Sequence, residues 1–157
     1  APGTLISTQS KKGKIEAVAA KDGITAIKIK SGRMLLAHGF LRKVFEIFES
    51  HHTPIDMVTT SEVGVSVSID NNKRLDEIVN GLKKFGTVTV DKDMVIICVV
   101  GDMPYENVGF QAKVVGALKE IPIRMISYGG SNYNISFLVK SEDKKRALVA
   151  LSAELFD

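Results

Sequence analysis

An internal repeat at a spacing near 70 residues constrains this chain more than any other feature. Ile24-Thr-Ala-Ile-Lys-Ile-Lys30 falls over Met94-Val-Ile-Ile-Cys-Val-Val100, and Gly39-Phe40, Lys43 and Val44 fall over Gly109-Phe110, Lys113 and Val114. After a two-residue deletion, Pro54-Ile-Asp-Met-Val-Thr59 falls over Pro122-Ile-Arg-Met-Ile-Ser127. The original spacing resumes with Val65-Ser-Val67 over Ile135-Ser-Phe137, and Lys73-Arg74 matches Lys145-Arg146. A chain of 157 residues that repeats itself once must build two small units of about 70 residues, too small to resemble most multidomain enzymes.

Each half reads as strand, helix, strand, strand, helix. Short Val/Ile-rich runs bounded by turn residues predict the strands, with alternation clearest in Val63-Gly-Val-Ser-Val-Ser-Ile69. Apolar residues recurring at three and four predict the helices: Phe40, Leu41, Val44, Phe45 and Phe48, then Leu75, Ile78, Val79 and Leu82. Val114, Val115 and Leu118 do the same in the second half, as do Leu148, Leu151 and Leu155. Thr87-Val-Thr-Val-Asp91 closes the first half as βαββαβ, a ferredoxin-like α+β order with two helices on one face of an antiparallel sheet.

The second half lacks its closing strand before Asp157, and an open sheet edge there would be a liability. Lys14-Ile-Glu-Ala-Val-Ala-Ala20, upstream of the first repeat and followed by the turn-like Lys21-Asp22-Gly23, is predicted to supply it. The first unit would then be inserted into the second. The start at Ala1-Pro-Gly-Thr4, without Met, is expected of a piece of something longer.

Composition narrows function mainly by exclusion. Twenty-one Lys and Arg against 18 Asp and Glu leave a net charge of +3 without the basic stripe of a nucleic-acid binder. No run approaches a membrane span, and no signal peptide opens the chain. One cysteine, Cys98, sits inside an apolar strand as a small core residue, and with no disulfide possible within the chain a cytoplasmic protein is expected. His38, His51 and His52 lack the spacing of a metal site, and no nucleophile triad or phosphate loop is present. Gly129-Gly130 reads as a turn. No catalytic residue, metal or cofactor is expected, and the chain alone is not expected to be an enzyme.

The strand-to-helix turns before Gly39-Phe40 and Gly109-Phe110 are better candidates, because a glycine there lets backbone N–H groups approach a carboxylate. Asp56 and Glu62 of the first half face Arg124 and Gly130 in the repeat. One unit thus offers two carboxylates where its twin offers none. A helix N-terminus for a carboxylate and acids for an amine describe recognition of an amino acid.

Gly39-Phe-Leu-Arg-Lys-Val-Phe45, Ile55-Asp-Met-Val-Thr-Thr-Ser-Glu-Val63 and Ile123-Arg-Met-Ile-Ser-Tyr-Gly-Gly-Ser-Asn-Tyr-Asn-Ile-Ser136 resemble the C-terminal regulatory region of aspartate kinases, nearest the monofunctional lysine-sensitive kind. The resemblance implies two ACT domains, the first (24–91) inserted into the second (14–23 with 92–157), after a linker remnant over 1–13. It implies feedback inhibition by an end-product amino acid, homodimerisation through the ACT domains, and a kinase domain in the parent chain that phosphorylates aspartate with ATP. It implies an effector pocket of Met34, Ala37, Gly39, Phe40, Leu41, Ile55, Asp56, Thr60, Ser61 and Glu62. Leu36 and Ala37 stand where the lysine-sensitive pattern has histidine and serine; Asp56 favours lysine, with threonine as the alternative. An oligomerisation module that binds nothing remains open, as does a small acylphosphatase-like enzyme.

Overall fold

The computed structural model describes residues 14–32 and 38–156. Its elements run β1 (Ile15–Lys30), α1 (Phe40–Ser50), β2 (Val58–Ser61), β3 (Gly64–Ile69), α2 (Leu75–Leu82), β4 (Thr87–Gly101), α3 (Phe110–Ala117), β5 (Met125–Ser127), β6 (Asn134–Lys140) and α4 (Lys144–Phe156), the last entered through a 3-10 turn. The fold is α+β: an antiparallel sheet of order β2-β3-β1-β4-β6-β5 with helices packed on it.

The two central strands are unusually long, 16 and 15 residues, and each serves both halves of the repeat. Residues 25–30 of β1 pair with β3, while its first half runs against 96–101 of β4. Lys21-Asp22-Gly23, read from sequence as a turn, is instead a bulge through which β1 continues. The reason lies in backbone geometry. Gly23 and Asp93, equivalent in the repeat, both take the left-handed region, with φ of 70° and 55°. Each adds residues to its strand without ending the ladder, and Gly and Asp are among the residues that tolerate such a φ.

The ladder is symmetric about the pair Ile24 and Met94. Ile27 opposite Val90 is matched by Ala20 opposite Ile97, and Lys28 opposite Thr89 by Ala19 opposite Cys98. Exchanging the halves reproduces the register, so a pseudo-two-fold axis passes through the bulged centre.

Three apolar clusters follow from the period-2 alternation of these strands. On one face, Ile27, Ile29, Val65, Val67 and Ile69 pack against Phe40, Val44 and Phe48 of α1 and Leu75, Ile78 and Leu82 of α2. Val95, Ile97, Val99, Ile135, Phe137 and Val139 likewise meet Val114, Leu118, Ala147 and Leu151. The third cluster uses the alternate residues: Ile24, Ala26, Met57, Met94, Ile96, Met125 and Leu138. It closes the other face around the axis, and brings β2 and β5, at opposite ends of the strand order, into contact. Cys98 also belongs to the alternate residues of β4 and is half-buried rather than in a core.

The helix stripes are narrower than their periodicity suggests. Leu41, Phe45 and Val115 are substantially exposed, because one helix face meets a sheet and the flanking apolar positions overhang it. No helix among the described residues is long and apolar enough to cross a membrane.

Since the first half of β1 hydrogen-bonds to β4, deleting residues 1–20 should strip protection from amides between Met94 and Val139 more than from α1 and β3. Hydrogen exchange by mass spectrometry reads this directly, and a truncated chain with those amides still protected would contradict the shared ladder.

Candidate functional site

Helix α1 begins at Gly39, whose φ of 86° no β-carbon would favour, and α3 begins at Gly109 with φ of 96°. An added β-carbon would meet nothing at either position, so glycine is required by the turn and not by crowding. Gly39 has no side chain to cap the helix, and no side chain among the described residues caps it, which suits its first-turn N–H groups to an anion.

Opposite this helix start lies the end of β2. Between them is an open cavity of about 660 Å³ lined by Gly32, Gly39, Phe40, Leu41, Arg42, Thr60, Ser61, Glu62, Val63 and Val65. Six of the ten residues singled out from the sequence meet here: Gly39, Phe40, Leu41, Thr60, Ser61 and Glu62. Met34 and Ala37 lie outside the described residues. The polar inventory is a helix N-terminus, two hydroxyls and the exposed Glu62 carboxylate, against walls of Phe40, Leu41, Val63 and Val65. Arg42, missed by the sequence reading, leans toward Glu46 at 3.6 Å. Its signal was simple, since it belongs to the same first turn as Gly39.

The other two residues are elsewhere. Ile55 packs at the rim of the helix-side core of the first half. Asp56 precedes β2, its N–H donating to the Ser68 carbonyl at 2.8 Å, and four extended residues carry it about 13 Å from Thr60. Its carboxylate accepts from Lys21 Nζ at 3.0 Å. Asp56 is therefore a junction residue in this structure and lines no part of the cavity.

That junction explains the charge asymmetry noted in the sequence. Lys21 also pairs with Asp70 at 2.8 Å, so one cation sits between two carboxylates. At the equivalent place Arg124 Nε donates to Asp91 at 2.8 Å and its Nη1 to Ser66 Oγ at 3.3 Å. Lys21, Asp56 and Asp70 correspond in the repeat to Asp91, Arg124 and Lys140, with every sign reversed. A depression of about 730 Å³ adjoins the second junction, lined by 90–94, 122–124 and 140–142. It mixes acids and bases around an ion pair already made, and the helix start it touches is the 3-10 turn at Ser141-Glu142, which brings a carboxylate of its own. No group of three or more His, Cys, Asp or Glu among the described residues could hold a metal ion.

Chiefly the Lys21 ammonium holds the Asp70 carboxyl below its ordinary value of 3.8, and Asp70 and then Asp56 raise Lys21 above 10.5. For Asp70 the unfolded chain binds the proton first as pH falls, so its contribution is complete above 3.8 and disappears as pH drops through the lower folded value. For Lys21 the sign inverts: its contribution stands below 10.5 and is lost as pH rises through the raised value. Urea midpoints of wild type and Asp70→Asn should therefore differ at pH 6 and converge at the acid end. Parallel curves would show that the pair adds nothing.

Comparison with known proteins follows the same lines. Residues 97–155 match the family model of the ACT domain. A solved structure assigned as a C-terminal regulatory domain of aspartate kinase from Porphyromonas gingivalis W83 superposes with a TM-score of 0.82 at 64% identity, over 90% of this chain and 97% of that one. Escherichia coli aspartokinase III in complex with lysine and aspartate superposes with a TM-score of 0.80 at 31% identity, over 91% of this chain and 33% of that one. The aspartokinase of Candida albicans is 34% identical over 98% of this chain and 29% of its own length. The chain spans about three-tenths of the curated relatives it matches.

Proposed function

The chain belongs to the C-terminal regulatory domains of aspartate kinases, and from that premise we propose that it senses an amino acid, lysine first, and restrains a kinase domain of the same protein by feedback. The observation that carries this is the cavity between the uncapped start of α1 and the Thr60-Ser61-Glu62 edge of β2. It pairs a site for a carboxylate with a site for an ammonium, and its volume suits a small ligand. The lysine carried by the aspartokinase III structure supports the choice of effector.

In this reading the chain is two ACT domains, residues 24–91 and residues 14–23 with 92–157, the first inserted into the second. The doubled use of β1 and β4 supports the assignment. The domains also join two copies of the chain, with α1 and the free edge of β2 as the seam. Exposed Leu41 and Val63 on the cavity wall, with exposed Phe45 on α1 and Val58 on β2, support that seam, and a ligand at such a place would couple binding to assembly. The fragment itself performs no chemistry; phosphorylation of aspartate belongs to the kinase domain.

Calorimetry with lysine, threonine and methionine tests the proposal. Glu62→Gln should weaken lysine about tenfold, the low end for a charged hydrogen bond because the carboxylate is exposed. Asp56→Asn should change stability and leave affinity alone. The reverse pattern would move the site to the junction, a preference for threonine would change the effector, and binding of none of the three would leave oligomerisation as the function.

A further inference from the structure

The second half keeps the glycine-led helix start but not the strand end that faces it. Aligned on the repeat, Tyr128 stands where the first half has Thr60, Gln111 where it has Leu41, and Met103 where it has Arg33. Tyr128 bridges the three elements that would wall a cavity there. Its ring meets Phe110, the counterpart of Phe40, edge-on at 5.8 Å. Its hydroxyl donates to the Met103 carbonyl at 3.0 Å and accepts from Gln111 Nε2 at 3.5 Å.

We infer that Tyr128 is a built-in occupant of the second half's copy of the cavity, closing it to amino acids and leaving the first half as the receptor. The inference rests on the ligand reading above. A tethered phenol has two side-chain torsions to fix and is already held by a ring contact and two hydrogen bonds. A free amino acid would have to expel the ring and leave the Met103 carbonyl to find another donor. Gly129 and Gly130, which replace Ser61 and Glu62, offer its ammonium neither hydroxyl nor carboxylate.

The test supplies the missing side chain as a free molecule. p-Cresol should bind Tyr128→Ala and raise its melting temperature by roughly 5–10 °C at a hundredfold excess over the dissociation constant, with no effect on wild type or Tyr128→Phe. A folded Tyr128→Ala that ignores p-cresol overturns the inference. The reciprocal variant, Thr60→Tyr, should fold and lose lysine binding; undiminished binding there overturns the inference even where Tyr128→Ala does not fold. Wild type that binds no amino acid, beside a Tyr128→Ala that takes up p-cresol, would remove the ligand reading and leave the closed cavity standing.

Discussion

Everything in this molecule depends on the antiparallel ladder between β1 and β4. A unit of about 70 residues buries a modest fraction of its surface and is marginal alone. Here each half borrows a strand that continues from the other, so neither half of the single sheet is complete until both are. The bulges at Gly23 and Asp93 let two long strands bend where the halves meet. With the bend in place, the face left bare by the helices closes on itself around Ile24 and Met94. The candidate cavity is lined by the start of α1 and the end of β2, and Met57, the residue before β2, belongs to the cluster around the axis. A ligand bridging α1 and β2 therefore acts on elements tied directly to the junction.

Magnitudes separate what holds the junction from what specifies it. Truncating a buried methionine such as Met57 or Met125 to alanine costs about 2–5 kcal/mol. Half-exposed ion pairs are worth on the order of 0–1 kcal/mol. Arg124 adds a further debit, since among the described residues its buried Nη2 has no partner. Apolar closure supplies the stability. The ion pairs discriminate: had the first half met a copy of itself, Asp56 would face Asp91, and had the second half done so, Arg124 would face Lys21. Opposite polarity at the two junctions disfavours both like pairings and favours the unlike one, whatever little each pair contributes alone.

The elements were legible because their signals are local. Period-2 runs and glycine-led helix starts depend on residues a few positions apart, and the repeat doubles each of them; together they placed every strand and helix on its stretch of chain, although β1 and β4 each read as two shorter strands. The spare strand was legible from a count. Asp56 was not legible as a junction residue, since an acid facing a base across a repeat reads equally as ligand recognition or as a reversed ion pair. Only the partners decide, and Lys21 lies 35 residues away on the strand that runs through the bulge. The signal existed in the three positions Lys21, Asp56 and Asp70 against Asp91, Arg124 and Lys140, where reversal occurs at all three together. Reversal at every member of a set points to pairing within the set, whereas a pocket needs reversal at none.

The duplicated glycine turns lead to a related conclusion about where function resides. Gly39 and Gly109 share the same left-handed conformation, and both halves fold around it. A feature kept in both halves serves the fold they have in common. What differs is the short stretch closing the second strand of each half: Thr60-Ser61-Glu62 in one, Tyr128-Gly129-Gly130 in the other. The first stretch leaves hydroxyls and a carboxylate beside an open cavity, and the second folds a ring back onto Phe110. Three residues at a strand end, carried by a shared scaffold, leave an open cavity in one half and a packed ring in the other.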